Sequence, residues 1–213
     1  MYSIRATSDH GAMDMLVATL ASGGAVIAAT AAASRLKHHL RLRLAVATLV
    51  AYAAVLTIQP PSLLASNLAV LLAAVAAGTL IGRSLGQRGA IVAFCITIAV
   101  VDLFSFGGGL TRTIIDNYRE GSSDLLVYLA ITIRTQGQTI PVVGVGDLLM
   151  LSALYLGLRG IGRPGGQVVA LLLGSLGVAL LVGLVWGGAP ALPFLAAAVI
   201  SFLTLGQGRG NPQ

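Results

Sequence analysis

Seven long apolar runs constrain this chain more than any other feature. They lie near residues 12–33, 44–58, 63–81, 90–106, 142–158, 168–186 and 190–205. Each approaches the roughly 20 residues that a helix needs to cross a bilayer. Backbone groups in hydrocarbon must be satisfied within the segment, so runs of this kind read as helices. The shorter ones stand upright or thin the bilayer locally. The expected fold is an all-α polytopic membrane protein, with about seven transmembrane helices in one bundle and residues 1–213 as a single transmembrane domain. Only 9% of the residues are charged, against about 25% in soluble domains, so lipid is the natural solvent. Gly, Ala and Ser recur throughout and let helix backbones approach closely.

The net charge is +6, from 13 Lys plus Arg against 7 Asp plus Glu. The basic residues sit between apolar runs and lack the interleaved aromatics of a nucleic-acid footprint, so they report topology and no nucleic-acid partner is expected. The linkers around residues 35–43, 83–88 and 159–163 are basic. Seven spans place all three on one side, which the positive-inside rule makes cytoplasmic. The N-terminus is then outside and the C-terminus, with Arg209, inside. The external linker, residues 107–141, balances Arg112, Arg119 and Arg134 against Asp116, Glu120 and Asp124. Within it, residues 125–133 are apolar but too short to span and suit an interfacial helix or a strand. Residues 136–143 turn from polar to β-prone, and Pro141 blocks an early helix start. The first run follows Arg5 and ends in Ala31-Ala32-Ala33, like a signal peptide. The basic Arg35-Leu36-Lys37-His38-His39 behind it acts as a stop-transfer signal, so the helix is expected to be retained. Compositional bias points to a prokaryotic cell membrane.

Cys95 stands alone, so neither an intramolecular disulfide nor a cysteine metal site is expected, and it reads as a small core residue. Three acids lie in or beside apolar runs: Asp14, Asp102 and Asp147. Asp14 is near a helix start, where interfacial water and the helix dipole satisfy it. Asp102 and Asp147 sit at matching depth below the outer face, on helices joined by one linker. A carboxylate at a helix centre costs on the order of 2.5–3.5 kcal/mol. Two such costs at one depth imply that the carboxyl groups face each other, as a proton or ion site or as a catalytic pair. Asp147 closes the stretch Gly144-Val145-Gly146-Asp147, where two missing side chains let a backbone come close. Pro190-Ala191-Leu192-Pro193 heads the last run, a common place for proline.

This ordered combination resembles the presenilin and signal peptide peptidase family of intramembrane aspartyl proteases. There, an aspartate within Tyr-Asp precedes a Gly-x-Gly-Asp helix, and a Pro-Ala-Leu element follows on the last helix. The matching positions are Asp102, then Gly144, Val145, Gly146 and Asp147, then Pro190, Ala191 and Leu192. Ser105 resembles the serine that often follows the first aspartate. The resemblance covers roughly residues 91–204. Val101 stands where the family has tyrosine, and seven runs stand where it typically has nine helices. The inferred orientation is similar to the signal peptide peptidase branch.

The resemblance implies an aspartic endopeptidase that cleaves transmembrane segments or signal peptides with Asp102 and Asp147, needing neither metal nor organic cofactor. Its partners would be a transmembrane peptide or membrane-protein substrate and the lipid bilayer. The stretch through Thr139, Ile140, Pro141 and Val142 is expected to pair with unwound substrate as an added strand, and Pro190–Leu192 to floor the site near Asp147. Two alternatives use the same acids. A prepilin peptidase also carries Gly-x-Gly-Asp, but lysine commonly follows the motif, where this chain has Leu148-Leu149-Met150. A proton-coupled transporter would use Asp102 and Asp147 as carriers, although the halves show no convincing repeat.

Overall fold

The computed structural model describes residues 9–55, 57, 62–109, 113, 114, 117, 125–135, 138–186 and 190–205. Among them the order is α1 (Asp9–Ser34), α2 (His38–Val55), α3 (Leu63–Ser84), α4 (Arg88–Gly108), a short α5 (Leu125–Leu129), β1 (Ala130–Thr135), β2 (Gln138–Gly144), α6 (Val145–Gly160), α7 (Gly165–Trp186) and α8 (Leu192–Leu205). Helices α1, α3, α4 and α7 are long and apolar enough to cross a membrane. Their 21–26 residues reach about 30–40 Å at the usual rise, the thickness of a hydrocarbon layer. The apolar part of α2 (Leu42–Val55) and α8 are shorter, and α6 has 16 residues. Large side chains such as Leu64, Phe104 and Val185 are about four-fifths exposed, a surface suited to lipid rather than water.

The centre of the fold is the seam between α3 and α6. Gly78 and Gly82, one turn apart on α3, meet Ser152 and Ala153 of α6. A Cβ at Gly78 would lie 2.7 Å from the Leu149 carbonyl, and one at Gly82 would lie 2.6 Å from the Ala153 carbonyl. Any side chain there would force the helices apart, so glycine is required by close approach. Helix α1 enters the same seam, where the Thr30 hydroxyl donates to the Ser152 hydroxyl at 2.9 Å. Val70, Ala74, Leu148, Leu151, Leu154 and Leu158 fill the space around it. Helix α4 packs chiefly on α8, and α8 also packs on α7. At the turn between α6 and α7, Gly162 takes a φ of 83°, which glycine adopts without strain.

Among the described residues, two expected boundaries shift and one open stretch is resolved. The helix expected over 142–158 begins at Val145, because Gln138–Gly144 forms β2 and pairs antiparallel with β1. Val142 and Val143 suit a strand at least as well as a helix. Residues 125–133, open between helix and strand, divide into α5 and most of β1. The basic stretch around residue 38 reads as linker throughout, yet α2 starts at His38. No proline or glycine interrupts the chain there, and long basic side chains can reach the interface from a helix. Arg5, Arg112, Asp116, Arg119, Glu120, Asp124 and Arg209 lie outside the described residues.

Candidate functional site

Helix α6 starts where β2 ends, at Gly144, which has extended backbone angles (φ −70°, ψ 151°). Asp147 is the third helical residue, and its carboxylate accepts from the Gly144 N–H at 3.3 Å. This is half of a capping box, since glycine has no side chain to complete it. The Asp147 carboxylate therefore satisfies one of the unpaired N–H groups of a helix start and sits in the favourable field there. A Cβ at Gly144 would stand 3.3 Å from that carboxylate, whereas one at Gly146 would meet no atom within 4 Å. Space therefore remains open at Gly146, the residue before the acid. Asp147 is half-buried, between exposed Gly146 and buried Leu148.

Asp102 lies near the C-terminal end of α4 and is also half-buried. Its carboxylate accepts from the backbone N–H of Leu192 at 3.2 Å. An acid from one helix thus caps the start of another, α8, where N–H groups lack intrahelical partners. Proline at position 190 and the turn through Ala191 set up that start. The Pro190–Leu192 element is expected beside Asp147; the hydrogen bond that it makes goes instead to Asp102. The reason is geometric: α8 packs along α4, so its first turn opens beside the end of α4.

Helix α4 touches α6 as well as α8, and Asp102 and Asp147 lie within electrostatic range of each other. Helices α4 and α6 and the first turn of α8 therefore converge on two carboxyl groups. Ser105 is half-buried on the same helix as Asp102. Val101 is 58% exposed and points outward rather than toward the acids. Asp14 is exposed on α1, apart from this cluster, and Cys95 is a fully buried free thiol. Among the described residues no group of three His, Cys, Asp or Glu side chains gathers in a way that would hold a metal.

Thr139, Ile140, Pro141 and Val142 lie along β2, all half-buried, and the strand leads straight into Gly144, Val145, Gly146 and Asp147. The register pairs Thr139 with Arg134, Ile140 with Ile133 and Pro141 with Thr132, while a bulge falls between Ile131 and Thr132. An open apolar groove of about 360 Å³ between α7 and α8, lined by Leu171, Val178 and Phe194 among others, does not include either aspartate.

Three polar residues that sequence reasoning does not single out anchor the hairpin and the short α5 before it. The Tyr52 hydroxyl donates to the Tyr128 carbonyl at 2.8 Å, and the Ser66 hydroxyl donates to the Val127 carbonyl at 2.7 Å. The Asn67 side chain bonds both backbone groups of Thr132. A polar Ser66-Asn67 pair inside an apolar run is the signal that could have found them. No family model matches the chain, and no curated protein or solved structure matches it.

Proposed function

We propose that this protein is an intramembrane aspartyl endopeptidase of seven spanning helices, in which Asp102 and Asp147 form the catalytic pair and a transmembrane peptide is the substrate. The observation that carries the reading is the convergence of two acids, on α4 and α6, at the end of a strand that leads into one of them. Placing carboxyl groups in apolar helices is costly, and packing or capping alone does not require two of them beside each other.

Two adjacent carboxyl groups do not both ionise readily, so the pair holds one proton near neutral pH. That proton belongs to the pair rather than to either residue. The ionised partner takes a proton from water as the water attacks the peptide carbonyl. The protonated partner donates a hydrogen bond to the carbonyl oxygen as negative charge develops there. The proton then passes to the departing amine as the tetrahedral intermediate collapses. The open space beside Gly146 leaves room for an extended backbone. A helical substrate has its peptide bonds hydrogen-bonded internally and must unwind before attack. The β2 strand offers those freed groups a new partner. The chain's side of the reaction needs no metal or organic cofactor.

The test uses the purified full-length protein in detergent with a fluorescently labelled transmembrane peptide. Native protein should release product, and Asp102→Ala and Asp147→Ala should each abolish it. Cleavage that survives either substitution defeats the dyad. Proton flux in liposomes without peptide cleavage would replace the protease reading with that of a proton-coupled transporter.

A further inference from the structure

A two-stranded sheet has two outer edges, and here they are not equivalent. Among the described residues the sheet consists of β1 and β2 alone. Thr132, in β1, stands opposite Pro141 in a pair whose backbone groups face away from each other. Both main-chain groups of Thr132 point the other way, toward α3. The Thr132 N–H donates to Asn67 Oδ1 at 2.8 Å, and Asn67 Nδ2 donates to the Thr132 carbonyl at 2.7 Å. The Thr132 hydroxyl adds a third bond to Asn67 Oδ1 at 3.2 Å.

One residue of a neighbouring antiparallel strand would exchange the same two backbone bonds with its partner. The Asn67 amide therefore stands where a third strand would have to pair. Thr132 is 2% exposed, so its backbone groups would be left buried and unpaired without Asn67. Ser66 and Tyr52 donate to the carbonyls of Val127 and Tyr128 in the short α5 that leads into β1. The outer side of β1 is thus fastened to α3, and the helix before it to α2 and α3. Helix α3 is in turn locked against α6 through Gly78 and Gly82, so the hairpin and Asp147 share one frame.

We infer that Asn67 is a positioning residue for the peptide site. It blocks the outer edge of β1, restricts strand addition to β2, and sets the register of an added peptide relative to Asp147. The inference rests on the protease reading for its substrate, but edge selection can be measured without cleavage.

A photoreactive residue is placed at Arg134 on β1 or at Thr139 on β2, in otherwise native full-length protein and in Asn67→Ala. The probe is the same labelled transmembrane peptide. Native protein should capture it at position 139 and not at 134, and Asn67→Ala should capture it at both. In parallel, hydrogen–deuterium exchange should be at least about tenfold faster at the Thr132 amide in Asn67→Ala, as expected for loss of a buried hydrogen bond. KM for cleavage should rise about tenfold and the cut sites should spread, while kcat stays within about threefold.

If Asn67→Ala does not fold, Asn67→Asp carries the test. It still accepts from the Thr132 N–H but cannot donate to the Thr132 carbonyl, so protection should persist with an intermediate KM. Equal capture at 134 and 139 in native protein overturns the inference. So does a fall in kcat with KM and cut sites unchanged, which would mark Asn67 as merely structural. Selective capture without any cleavage would keep the edge assignment and defeat the protease reading.

Discussion

Helices α3 and α4 follow one another and are equally apolar to the eye, yet they do opposite work. Of the most apolar stretch of each, 44% of residues are buried in α3 and 17% in α4. On α3, glycine at 78 and 82 lets α6 come into backbone contact, and the Thr30–Ser152 hydrogen bond ties in α1. On α4, Ile96, Val101, Leu103 and Phe104 face outward, and the helix leans mainly on α8. Asp147 belongs to the tightly packed half. Asp102 belongs to the lightly packed half and reaches the first turn of α8 by one hydrogen bond. A site built across such a boundary has one acid fixed by a core and the other on a helix with few partners. Sparse packing is the physical basis of easier local opening, so the spacing of the acids is set more by α4 and α8 than by α6.

The largest effect that would test this contrast is chemical. Asp102→Asn and Asp147→Asn should each lower cleavage of the labelled peptide by at least about 10³-fold, because either change removes the shared proton site. Equal losses from the two halves would show one unit acting across the boundary; a mild loss at Asp102 alone would break that unity. Next in size is packing. Gly78→Leu should destabilise the fold by about 3 kcal/mol, read from thermal unfolding in detergent, since the backbone of α6 leaves no room. Thr30→Val should cost about 0.6–1 kcal/mol by the same measurement, the usual worth of one hydrogen bond between membrane helices. Smallest is the outward face of α4, where Phe104→Ala should change stability by less than about 0.5 kcal/mol. A larger loss there would mean that α4 is covered by something and would remove the asymmetry.

Much of this architecture is legible in the sequence. Apolar runs locate helices because hydropathy is a local property, summed over neighbours along the chain. Asp102 and Asp147 stand out because isolated acids in apolar runs are expensive. Gly144 and Pro190 are special positions by residue type, and both fall at helix starts, where lost side chains or fixed φ matter most. The boundary at Gly144 is not legible, because Val142 and Val143 serve an apolar helix and a strand alike. What decides between them is a partner strand some ten residues earlier in the chain.

Asn67 shows the limit more sharply. Alone it reads as one tolerated polar residue in a spanning helix; its partner Thr132 is 65 residues away. The same holds for Pro190–Leu192, whose expected neighbour is Asp147 and whose hydrogen-bonded neighbour is Asp102, 90 residues distant. The sequence by itself determined the apolar segments, the two acids among them and the glycines that admit a close backbone, because each follows from the solvent and from local sterics. Tertiary structure alone decided which helix end meets which acid and which edge of the hairpin is closed. Those outcomes depend on hydrogen bonds and packing between distant segments, whose geometry exists only once the helices have come together.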